Sequence, residues 1–144
     1  MSETTAEQRN QQTAYAIFRL TMGINIFLHG ATRILSGVGK FADAMSAGFK
    51  DSPLPSGLTW AFLAALPFME ALVGLLLILG LWTRPAVIAG SLLMTTLVFG
   101  TALRSDWAGL GLQMVYVLSY YFLISHATRD AYGLDAWRAR RRAT

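Results

Sequence analysis

Residues 58–85 read LTWAFLAALPFMEALVGLLLILGLWTRP. The first twenty-five of them, Leu58 to Trp82, carry one charge, Glu70, near their middle. At about 1.5 Å per residue such a run crosses a bilayer core of roughly 30 Å. A carboxylate at that depth costs about 2.5–3.5 kcal/mol to insert, so it calls for a partner or a proton. Arg19, in the apolar run Ala14–His29, is the other charge inside such a run. The simplest fold joins the two as a buried ion pair and packs the remaining helices around it.

Outward from this stretch, hydropathy divides the rest of the chain. Residues 1–13 are polar and read as a disordered tail without the pattern of a cleaved signal. In the first run, Ala14–Leu35, helical spacing puts Arg19, Gly23, Ile26, Gly30 and Arg33 on one stripe, with His29 on its shoulder. The opposite face carries Ala16, Leu20, Ile24, Phe27 and Ala31, so the polar stripe is expected to face the bundle. Between Ser36 and Gly57, residues Phe41, Ala44, Met45, Gly48 and Phe49 recur at helical intervals, as in a short amphipathic helix at the membrane interface. Gly80 to Pro85 is a tight turn. Pro85–Leu103 holds no charge, and Trp107–Ser125 carries Gln113, Tyr116 and Tyr120 on one stripe.

The expected fold is therefore all-α: an up-down-up-down bundle of four transmembrane helices over residues 14–126, with a basic tail over residues 127–144. A charged fraction of 14% and a mean hydropathy of +0.45 agree with it, since soluble domains are near 25% charged. The net charge of +4 belongs to topology and lipid contact, because no basic face interleaves with stacking aromatics as in nucleic-acid binders. Seven positive residues flank one side (Arg9, Arg84, Arg129, Arg138, Arg140, Arg141, Arg142) and four the other (Arg33, Lys40, Lys50, Arg104). The positive-inside rule then puts both termini in the cytoplasm, and the membrane expected is a bacterial inner one.

The chain has no cysteine, which excludes disulfides, thiolate nucleophiles and iron–sulfur clusters. Its two histidines, His29 and His126, fall at opposite ends of their spans and cannot ligate one haem iron. No carboxylate–histidine cluster suits zinc or di-iron, so neither haem nor metal is expected. Counting rise from the cytoplasmic ends places Arg19 about 7 Å deep and Glu70 about 15 Å, a gap an arginine spans. Tyr120 falls at a similar depth. Nearer the outer face lie His29, Arg33, Gln113 and Tyr116. A quinone head needs donors such as these four and Tyr120 for its two carbonyl oxygens inside an apolar slot, and the same donors also serve as interhelical glue.

These residues resemble the DoxX family of small four-helix membrane proteins over roughly residues 15–125. The resemblance rests on Arg19, Gly23, and Gly30 with Arg33 where the family has Lys. It continues in Glu70 with Gly74 and in the turn Gly80-Leu81-Trp82-Thr83-Arg84. Relatives are named as membrane subunits of thiosulfate:quinone oxidoreductase or as redox-associated membrane proteins, which implies a membrane redox context. The leading expectation is a membrane subunit offering a quinone site to a partner protein that carries the electrons. A non-catalytic scaffold or assembly partner is the second reading, and a small transporter or proton pathway the third. Self-association stays open.

Overall fold

The decisive stretch folds as two helices joined at Gly80. The first ends in a Schellman motif: the Leu81 N–H donates to the Leu76 carbonyl at 3.1 Å and the Gly80 N–H to that of Leu77 at 3.3 Å. Gly80 holds φ 60°, the left-handed region that favours glycine, and Trp82 follows at φ 47°. The structure, a computed structural model, describes residues 3–142. Among them are six α-helices: α1 (Glu3–Ser36), α2 (Val38–Ser46), α3 (Ser56–Leu79), α4 (Thr83–Leu103), α5 (Trp107–Ser125) and α6 (Leu134–Arg142). Short 3₁₀ turns follow α2 (Ala47–Phe49) and α5 (Ala127–Arg129).

The described residues hold no strand. Three helices, α3, α4 and α5, are long and apolar enough to cross a membrane. Outward-facing side chains on them, such as Leu72, Leu92, Leu112 and Leu118, are apolar and exposed, a surface suited to lipid. Helix α1 is diluted by Arg19, Asn25, His29 and Arg33 but spans 34 residues. Its N-terminal turns replace the disordered tail expected for residues 1–13, of which residues 3–13 are described. Glu, Ala and Gln in this stretch are good helix formers, and Gln11 Nε2 donates to Glu7 Oε1 one turn away at 3.2 Å. Nothing between Glu3 and Met22 interrupts the helix.

Helix α1 runs antiparallel to α3, and small residues bring the two close. A side chain at Gly30 would collide with the Pro67 carbonyl and Ala71, and one at Gly74 with the backbone of Phe27. The expected stripe is the buried one: Arg19, Gly23, Ile26 and Gly30 face inward, while Leu20 and Ile24 are exposed. Helices α4 and α5 are likewise antiparallel, with Tyr120 packed over Gly90. Asp106 caps α5 by accepting from the Gly109 N–H at 2.9 Å. One core cluster, with Tyr15, Met22, Val73, Leu77, Val87, Tyr120 and Leu123, lies among α1, α3, α4 and α5. A second joins α2 to α3 through Ala42, Leu63 and Leu66, with Phe41, Met45 and Phe49 packed against it. The amphipathic spacing of residues 41–49 is thus spent on α3.

Candidate functional site

Between α2 and the ends of α3, α4 and α5 lies a cavity of about 370 Å³. Its walls are largely apolar and aromatic, with Phe41, Met45, Phe49, Phe62, Leu66 and Phe99 among them. Polar groups enter at a few points: Arg33, Glu70, Thr59, Thr101, Arg104 and Gln113. Arg33 reaches it from the last turn of α1 and Glu70 from the middle of α3. Arg33 Nη1 donates to both Glu70 carboxylate oxygens, at 2.6 and 2.5 Å. The Glu70 side chain is 7% exposed and that of Arg33 28%, so the pair grades from the interior toward the cavity mouth. Two guanidiniums sit over rings of the α2 segment: Arg33 over Phe41 at 4.7 Å and Arg104 over Phe49 at 5.4 Å.

From α5, Gln113 Nε2 donates to Thr101 Oγ1 of α4 at 2.8 Å, and Gln113 Oε1 is buried without a hydrogen bond. The Thr101 hydroxyl can donate as well as accept. Either end of the Gln113 amide therefore satisfies it, and the other end remains for something else.

The expected Arg19–Glu70 pair does not form. The close α1–α3 crossing sets a register in which Arg33 lies opposite Glu70 and Arg19 lies opposite Leu77. Arg19 is 3% exposed and closes the far end of the bundle. It donates through Nη1 to the Leu77 carbonyl and through Nη2 to the Tyr132 carbonyl. Its Nε stands 3.5 Å from Asp130. A cation at the C-terminal carbonyls of α3 also meets the negative end of the helix dipole. The acid that partners Arg19 thus comes from the segment after α5.

The five quinone-site candidates also separate. Arg33 and Gln113 line the cavity. His29 and Tyr116 meet each other edge to face, with centroids 6.5 Å apart, and the Tyr116 hydroxyl donates to Asn25 Oδ1 at 3.3 Å. They belong to the α1–α5 contact, outside the cavity. Tyr120 is 2% exposed and fills the core over Gly90. Thr101, Arg104 and the phenyl walls were missed. The i, i+4, i+8 spacing of Phe41, Met45 and Phe49 was the available signal for the aromatic wall, and Arg104 at a span end the signal for a cation beside it.

The chain matches no curated protein and no solved structure. A family model described as DoxX matches residues 14–105. That stretch contains Arg19, Arg33, Glu70, Arg104 and the Gly80–Arg84 turn, and stops short of Gln113, Tyr116 and Tyr120. Covering well over half of the sequence, the match makes this chain a member of the DoxX family.

Proposed function

We propose that the protein crosses the membrane four times, α1 and α3 to α5 running up, down, up and down, with both termini cytoplasmic in a bacterial inner membrane. The antiparallel α1–α3 and α4–α5 contacts support the alternation, and the seven-to-four distribution of flanking positive residues supports the orientation. In this reading the cavity takes the ring of a lipid-soluble quinone, and the chain is the membrane subunit of a redox complex. Electrons come from a partner protein, because a chain without cysteine has no sulfur-based redox centre of its own.

The observation that carries the reading is the composition of the cavity: aromatic walls with an arginine from α1 and a carboxamide from α5 among the lining residues. One Arg33 nitrogen is held by Glu70, which fixes the guanidinium while its other two nitrogens keep three N–H groups for a carbonyl oxygen. The Gln113 amide serves the second oxygen. Turned one way it donates to a quinone, and turned the other it accepts from a quinol hydroxyl, with Thr101 matching either state. The phenyl walls keep the ring dry and cost no buried polar group.

The test is quinone-analogue affinity and melting temperature measured on the same samples. Gln113→Leu is expected to weaken binding about tenfold, the worth of one hydrogen bond at about 1–1.5 kcal/mol, with little change in melting temperature. His29→Ala, outside the cavity, should change neither. A scaffold would show no binding in the unaltered protein even with its redox partner present, and that outcome refutes the quinone reading.

A further inference from the structure

At the opposite end of the bundle from the cavity, a basic helix is fastened in place. The Asp135 N–H donates to the Gly80 carbonyl at 2.9 Å, and its carboxylate accepts from the Thr83 N–H, in the first turn of α4, also at 2.9 Å. A side chain at Gly133 would stand 2.9 Å from the Gly80 carbonyl oxygen. Arg19 holds Tyr132 and Asp130 from the third direction. Residues 130–135 are thereby locked on the α3–α4 turn, and α6 starts from there. Asp135, the one acid in LDAWRARRR, is spent on the α4 N-terminus.

Helix α6 also carries Arg138, Arg140, Arg141 and Arg142, all exposed, with exposed Arg84 in the neighbouring turn. At 100° per residue Leu134, Trp137, Arg138 and Arg141 share a face. Trp137 is 45% exposed beneath the Arg141 guanidinium, 4.0 Å from its ring centroid. Tyr132, Leu134 and Trp82 are exposed beside it. Aromatic and aliphatic side chains beside arginines, where apolar helices end, match the chemistry of the membrane interface.

We propose that α6 is an anionic-phospholipid site, its arginines held against lipid phosphates by the Asp130–Asp135 fastening. Charge complementarity and continuity with the lipid-facing surface favour a headgroup over an acidic protein, which has no use for a band of exposed Trp and Tyr. Because the helix is fastened, its arginines meet the phosphates without the ordering cost of a loose tail. This site stands independently of the quinone reading.

The test uses the full chain, delipidated in neutral detergent and titrated with phosphatidylglycerol or phosphatidylcholine, with bound lipid counted by native mass spectrometry. A basic residue at an anionic surface is worth about fivefold. Phosphatidylglycerol should therefore bind on the order of tenfold better or more, with a preference that shrinks as salt rises. R138Q/R140Q/R141Q/R142Q should lose the preference at unchanged lipid-free melting temperature, since all four positions are exposed. Gly133→Val keeps every charge but pushes α6 off Gly80, and it should lose most of the preference as well. Equal affinity for the two lipids would hand the helix to an acidic protein and overturn the proposal. So would a preference that survives in the quadruple variant, or one that Gly133→Val leaves intact.

Discussion

Replacing Arg33 or Glu70 singly, and then together, tests whether the cavity's ion pair is the polar joint between α1 and α3. Arg33→Leu leaves a carboxylate whose side chain is 7% exposed without its donor, a loss of about 3–5 kcal/mol. Glu70→Leu orphans the more exposed partner. Arg33 is 28% exposed and long enough to carry its charge toward the cavity mouth, so the loss should stay below the ~2.5–3.5 kcal/mol insertion cost of a central arginine. Arg33→Leu is thus the more damaging single change. The double variant removes both charges and fills the space with aliphatic carbon, so it should lie near the parent, within about 1–2 kcal/mol.

The expected coupling is therefore on the order of 3–5 kcal/mol, measured by reversible denaturant unfolding in mild detergent with folded yield as a second readout. A control fixes the geometry. Arg19→Leu with Glu70→Leu should be additive within about 0.5 kcal/mol, because Leu77, beside Arg19, is about 10 Å along α3 from Glu70. Arg19→Leu with Asp130→Asn should be coupled. A double Arg33/Glu70 variant as damaged as the sum of its singles, or strong coupling between positions 19 and 70, would refute this reasoning.

Gly30→Val should abolish folded protein, since any side chain there meets the Pro67 carbonyl and Ala71; solubilised yield on gel filtration checks it. Asp106→Ala removes the α5 cap and should cost about 0.5–2 kcal/mol of stability, read as a lower melting temperature with quinone-analogue affinity kept. Single cysteines at Ser46 and Thr128 should label from opposite sides of sealed vesicles with an impermeant reagent, and labelling from one side would refute four crossings.

The α1–α3 interface was legible because packing and polarity agree there. Gly23 and Gly30 mark a close approach, Arg19 and Arg33 share their stripe, and the opposite face carries mostly apolar side chains such as Leu20 and Ile24. The turn at Gly80 was equally readable, since a glycine followed by Trp-Thr-Arg-Pro leaves room for little else. The N-terminal residues misled because polarity was read as disorder. Backbone hydrogen bonding needs no apolar face, and a helix already formed over the apolar run from Ala14 extends through good helix formers at small cost per residue.

Pairing the charges failed for a different reason. Depth counted along each helix separately ignores the register between helices, and one turn of slippage is about 5.4 Å, enough to change an arginine's partner. Register is set by where small residues let backbones touch, at Gly30 with Pro67 and at Gly74 with Phe27, and those contacts belong to pairs of helices. Asp130 was invisible as a partner because it lies beyond the last apolar run, in a stretch whose charge is mostly positive. Yet two acids in a segment otherwise given to arginine carry information: Asp130 meets Arg19 and Asp135 meets the α4 N-terminus. A lone acid in a basic segment next to a membrane span is best read by asking which buried arginine or free helix N-terminus it completes.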